Sequence, residues 1–167
     1  MPLYFAYGAN MDVAGMAARC PRSKALGVAR LARHRLAIMR EGWLTVARDA
    51  RSDVHGVLWD LSLADVGALD RFEDVPTRLY TKIVQPVLTP QGPKRALVYV
   101  GANSGPGRAD PDYIAEVLLA ARRWRLAPAG IAAYERLAHE AGVKTDAPPS
   151  TPALPKVRPR FAAPLES

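Results

Sequence analysis

Strand-forming runs come in groups along this chain instead of alternating singly with helices, and that order restricts the fold more than any other feature. Leu3–Tyr7 is aromatic and apolar, and from Asn10 onward Met11, Ala14 and Ala18 give a short helical pattern. Three strand-like runs follow at Val28–Met39, Trp43–Ala47 and Val54–Leu61. Ser62 can cap a helix to about Phe72, and Pro76 prevents its continuation. Leu79–Leu88 and Arg95–Val100, parted by Pro90, Gly92 and Pro93, read as a hairpin. Two helices close the pattern, one opened by Asp110 and Pro111 and reaching about Leu126, the other following Pro128. This order lacks the regular βαβ alternation of a doubly wound sheet, so the expected class is α+β with antiparallel neighbours.

A chain of 167 residues, 49% of them hydrophobic, can bury one good core. The expected organisation is a domain over residues 1–145 and a tail over 146–167, where six of the 15 prolines fall and an extended conformation is expected. No apolar run approaches the roughly 18–20 residues that cross a bilayer, and no basic-then-apolar leader opens the sequence, so neither a membrane partner nor secretion is expected. Cys20 stands alone, which excludes an intramolecular disulfide and a cysteine zinc site and suits a reducing, cytoplasmic compartment. His34, His55 and His139 share no metal-binding spacing, so no metal is expected. Cys20, next to Pro21 at a helix end and without a basic catalytic partner pattern, reads as structural, and Trp43, Trp59 and Phe72 read as core, with the alternative that one of them lines a pocket.

Two short stretches carry chemistry. In Tyr4–Met11 a strand enters a helix through Gly8, Ala9 and Asn10, a turn whose exposed main-chain N–H groups suit a small carboxylate better than a triphosphate, for which no Walker pattern exists. The plainer alternative is a strand-to-helix turn in which Asn10 caps the helix. In the second stretch Leu63, Val66 and Leu69 share a helical stripe that also contains Glu73, with Asp70 at its edge and Arg71 pointing away. A carboxylate on an apolar face, at the negative end of a helix dipole and beside Asp70 and Asp74, is expected to hold its proton more tightly than usual and to suit acid-base work. The alternative is that the helix ends before Glu73, whose side chain turns to solvent or pairs with Arg71 or Arg78.

The opening YFAYGANM at Tyr4–Met11 and the LDRFEDV at Leu69–Val75 together resemble the signatures of the γ-glutamyl cyclotransferase-like family. Tyr80, Tyr99 and the region from Tyr113 to Tyr134 extend the resemblance over roughly residues 3 to 138. It implies a compact mixed β-barrel flanked by helices, a small-molecule γ-glutamyl substrate and no cofactor. It also implies a reaction in which the substrate's α-amine attacks its own γ-carbonyl and releases 5-oxoproline. By the same resemblance Glu73 is the acid-base catalyst, Tyr4, Phe5, Ala6, Tyr7, Gly8, Ala9 and Asn10 bind the substrate, and Tyr80 and Tyr99 stand beside it, Tyr99 bonding the substrate or the catalytic carboxylate. Two positions depart from the pattern: Ala9 stands where serine is usual, and Asp74 where glycine is common.

A net charge of +7 admits other readings. Arg30, Arg33, Arg35 and Arg40, and the group Arg122, Arg123, Trp124 and Arg125, are compatible with nucleic acid, although solvated arginines explain both more simply. A non-catalytic binding protein of the same fold is the remaining alternative.

Overall fold

A computed structural model of the chain describes residues 2–144, so the tail expected over 146–167 lies outside the described residues. Strand β1 (Leu3–Ala6) passes through a 3-10 turn at Ala9–Met11 into helix α1 (Val13–Arg19). Two long strands, β2 (Lys24–Ile38) and β3 (Leu44–Asp60), precede α2 (Leu63–Phe72). The hairpin of β4 (Tyr80–Thr89) and β5 (Gly92–Gly101) is followed by α3 (Pro111–Arg123) and α4 (Pro128–Glu140).

The strands close into a barrel in the order β1, β3, β2, β4, β5. β1 is antiparallel to β3, with Leu3 opposite Asp60 and Ala6 opposite Val57, and parallel to β5 where Tyr4 meets Leu97. The other neighbours are antiparallel, so the barrel is mixed, with helices flanking it. Closure lets the first strand tie the last hairpin to the middle of the chain.

Three expectations change in the structure. The runs at Trp43–Ala47 and Val54–Leu61 are parts of one strand: opposite β2 the pairing jumps from Ala32–Asp53 to His34–Arg48, and residues 49–52 bulge out between. The Asp49 carboxylate closes that bulge by accepting from the Arg51 N–H at 3.0 Å and the Ser52 hydroxyl at 2.8 Å. The helix expected from Asn10 onward begins at Val13, because Asp12 caps it, its carboxylate accepting from the Gly15 N–H at 2.8 Å. The helix expected to reach Leu126 ends at Arg123, and Arg125 just beyond it has φ 52°.

Phe5, Leu31, Val54, Val57, Val98 and Leu69 are buried in one core, each side chain contributing roughly 1.5–3 kcal/mol on removal from water. Two close approaches set its shape. A Cβ on Gly56 would lie 2.3 Å from the Ala6 carbonyl oxygen, so β1 lies on β3 only because residue 56 has no side chain. A Cβ on Gly130 would lie 2.5 Å from the Cβ of His55, so α4 meets β3 at a similarly bare point. Tyr134, fully buried on α4, has its hydroxyl 2.7 Å from the Tyr7 carbonyl and 2.8 Å from that of His55. That hydroxyl joins helix, strand and the start of the N-terminal turn.

Candidate active site

Glu73 is the residue just past α2, where its N–H completes the last turn on the Leu69 carbonyl at 2.9 Å. The helix thus ends before Glu73, yet the side chain stays with the Leu69 face and is buried, with 7% of its surface exposed. The stripe is shorter than the wheel implies: Leu63 is 72% exposed, while Asp65 is buried and accepts from the Arg22 N–H and the Ser23 hydroxyl. A carboxylate buried so deeply needs donors. One is the Asn10 amide, whose Nδ2 lies 3.0 Å from Glu73 Oε1 and 3.1 Å from the Tyr4 hydroxyl. Asn10 therefore does not cap a helix; it links the N-terminal turn to Glu73 across 63 positions of sequence.

Around this pair lies a small cavity of about 30 Å3, room for roughly one water-sized group. Tyr4, Tyr7, Gly8, Ala9, Asn10, Glu73, Tyr80 and Tyr99 all line it. Phe5 and Ala6 do not: Phe5 faces away from Tyr4 with its ring beside Gly56, and both residues are fully buried in the core. Gly8 is not in a left-handed conformation, its φ being −124°. A Cβ there would point at the Tyr113 hydroxyl, 3.7 Å away, so what the glycine contributes is open space at the turn. Among the described residues no hydrogen bond takes up the N–H groups of Gly8 and Ala9.

The aromatic wall is held by its hydroxyls. Tyr7 donates to the Tyr99 carbonyl and Tyr80 to the Leu44 carbonyl, each at 2.5 Å, and Tyr4 meets Tyr99 edge to face. Burial pushes the Tyr4 and Tyr7 phenols well above their ordinary range, and the charge of Glu73 adds to it. Both remain neutral phenols at physiological pH. Tyr99 does not bond Glu73: its hydroxyl donates to Asp70 Oδ1 at 2.6 Å, and Lys82 Nζ holds the other oxygen of Asp70 at 2.8 Å. Burial, followed by that bond and the charge of Asp70, raises the Tyr99 phenol.

Four lining or supporting residues were not singled out as site residues in the sequence. Leu44 and Tyr113 form one side, Tyr113 Oη accepting from the Leu44 N–H at 3.2 Å and its ring meeting Trp43 edge to face. Phe72 closes another, beneath the guanidinium of Arg19. Tyr113 stands in the first turn of α3, where nothing local in the sequence marks it as facing the cavity, whereas Arg19 is legible as the last residue of a helix that enters the site.

A larger open groove of about 1020 Å3, bordered by Arg35, Arg51, His55 and Arg136, shares no residue with this cavity and has no aromatic wall. In the other basic stretch Trp124 turns inward to donate to the Met11 carbonyl at 2.7 Å, and Arg122 pairs with Glu135. Cys20 is buried, and its thiol is pushed up to about 11 mainly by burial, which leaves almost no thiolate. Among the described residues no group of three or more His, Cys, Asp or Glu side chains is placed to hold a metal ion, and no helix is long and apolar enough to cross a membrane.

A family model described as gamma-glutamyl cyclotransferase, AIG2-like, matches residues 4–140. No curated protein matches the chain. Among solved structures, one titled gamma-glutamyl cyclotransferase superposes with a TM-score of 0.71 at 24% identity, covering 81% of this chain and 85% of the other. An uncharacterised protein from Homo sapiens gives 0.71 at 23% identity over 90% and 92%. YkqA from Bacillus subtilis gives 0.68 at 22%, over 84% of this chain and 54% of that one. At these identities the structures establish a shared fold.

Proposed function

We propose the following activity for this chain, which belongs to the gamma-glutamyl cyclotransferase, AIG2-like family: it converts a γ-glutamyl amino acid or γ-glutamyl amine into 5-oxoproline and the free amine. The observation that carries this reading is the buried Glu73 carboxylate, fixed by Asn10 beside a turn with free main-chain donors. In the reaction the α-amine nitrogen bonds to the γ-carbonyl carbon and the amide C–N bond breaks. Glu73 takes a proton from the α-ammonium so that the free amine attacks, gives that proton to the leaving nitrogen as the C–N bond breaks, and takes up the second proton that the ring nitrogen sheds, so one carboxylate serves each step. The N–H groups of Gly8 and Ala9 hold the α-carboxylate, a task that survives the absence of a serine hydroxyl at Ala9.

Folding the substrate so that its own nitrogen faces its carbonyl supplies most of the acceleration, up to about 7–11 kcal/mol at the limit of good positioning. The cavity as it stands is far smaller than a glutamyl group, so entry requires outward movement of rim side chains such as Leu44, Phe72 and Tyr113. A single buried thiol suits work in a reducing cytoplasm. The test is to incubate purified protein with a panel of γ-glutamyl amines and measure 5-oxoproline. Turnover is expected, with kcat lowered about 10²- to 10⁴-fold by Glu73→Gln. Unchanged turnover in that variant removes Glu73 from its role.

A further inference from the structure

Arg19 reaches the site from the last residue of α1. Its guanidinium lies over the Phe72 ring, 4.1 Å from the centroid, and its Nε–H donates to Asn10 Oδ1 at 2.9 Å. Guanidinium groups donate and never accept, so only the oxygen end of the Asn10 amide can face Arg19. The NH2 end is then directed at Glu73 Oε1 and the Tyr4 hydroxyl, the arrangement that stabilises a charged carboxylate. Without Arg19 the amide can turn over and present its oxygen to Glu73, which then meets a partner that suits only its protonated form.

We infer that Arg19 is a positioning residue of this site: through the Asn10 amide it fixes which face of that amide Glu73 meets, and through Phe72 it pins the chain immediately before the carboxylate. One planar group engages both contacts, and the helix that carries it is capped by Asp12 and followed by the buried Cys20. The charge of Glu73 is felt by Tyr4 on β1, Tyr7 just past it, Tyr99 on β5 and Arg19, and Arg19 is a cation. A plain through-space effect of that cation is the competing account, and the two predict different things once Asn10 is gone.

The inference rests on Glu73 as the acid-base group, and its test has one arm that does not need turnover. Glutamate carboxyls are labelled with carbon-13, and the Glu73 signal is identified by its loss in Glu73→Gln. Its titration is then followed in wild type, Arg19→Met, Arg19→Lys, Asn10→Ala and the Arg19→Met, Asn10→Ala double variant. The expected result is an upward shift of the Glu73 midpoint in Arg19→Met, a much smaller shift in Arg19→Lys, which also only donates, and no added shift from Arg19→Met when Asn10 is already alanine. In the second arm kcat falls about ten- to hundredfold in Arg19→Met, the size of one hydrogen bond to a charged group, with KM little changed and the acidic limb of the profile moved to higher pH. A Glu73 titration that is the same in Arg19→Met as in wild type overturns the inference, as does an effect of equal size in the Asn10→Ala background. Should Arg19→Met fail to fold, Arg19→Lys decides alone: a midpoint moved as far as in Asn10→Ala counts against the inference, and one near wild type supports it. Absence of 5-oxoproline from wild-type protein with every γ-glutamyl amine sinks the proposed reaction, while the carboxyl titration still decides the role of Arg19.

Discussion

Replacing Tyr134 by phenylalanine removes one oxygen atom and should be felt throughout the molecule. The Tyr134 hydroxyl lies fully buried between the carbonyls of Tyr7 and His55, at 2.7 and 2.8 Å, with the Met11 sulfur at 3.9 Å on a further side. Burial holds the phenol far above its ordinary range, so it is a neutral donor at every accessible pH. It has one proton for two acceptors, and deleting it leaves the buried Tyr7 carbonyl without that donor and takes a partner from the half-buried His55 carbonyl. A stranded buried acceptor costs about 1–3 kcal/mol, and because the two share a single donor about 2 kcal/mol in total is the reasonable expectation. For a domain of this size that corresponds to a fall in Tm of about 5–8 °C. Urea unfolding of Tyr134→Phe should show a lower midpoint with an unchanged slope, since the surface exposed on unfolding is the same. A Tm within about 1 °C of wild type would refute the reasoning, and would mean that the two carbonyls are satisfied in some other way.

Two further predictions concern the β1–β3 seam and its neighbour on α4. Gly56→Ala places a Cβ 2.3 Å from the Ala6 carbonyl oxygen and 2.9 Å from the Phe5 ring, contacts that only separation of β1 from β3 can relieve. A loss of about 3 kcal/mol or more in urea unfolding is expected, and an unchanged midpoint would show that the seam is looser than described. His55 is lowered below 6.5 mainly by burial, so between its folded and unfolded values the unfolded chain binds more protons. Stability therefore falls as the pH drops from 7 through 6.5 towards 5, and the fall should be shallower in His55→Gln; equal slopes in the two proteins would contradict this.

What could be read from the sequence was whatever is local. The turn at Gly8–Asn10, the end of α2 at Phe72 ahead of Pro76, and the β4–β5 hairpin depend on neighbours a few positions away, and each lies where its residues indicate. Glu73 was legible because Leu69 is one turn before it, although Leu63, on the same wheel, proved exposed. Asn10 shows the limit: beside a helix start the amide reads as a cap, and nothing local says that its partner is 63 positions distant or that Asp12 caps in its place. The same limit explains Tyr99, whose preference for Asp70 over Glu73 depends on how β5 lies against α2. Phe5 and Ala6 belong to the same motif, but Phe5 faces away from Tyr4 and both are spent on the core, outside the cavity that Tyr4 and Tyr7 line.

The departure at Asp74 from the usual glycine acquires a physical meaning in the fold. Asp74 has φ 50° and ψ 41°, the left-handed conformation in which glycine is free of strain and aspartate is among the better tolerated alternatives. Its carbonyl accepts from the Thr77 and Leu79 N–H groups, each at 3.2 Å, so the sharp reversal after Glu73 is fixed by main-chain bonds that any residue at 74 can make. The reversal is what turns the chain back into β4 and lets Glu73 remain inside while its neighbours leave the helix. An aspartate there strains the backbone locally without changing the path of the chain. Glycine and aspartate can both occupy this turn, and what aspartate adds is a charge carried next to the carboxylate.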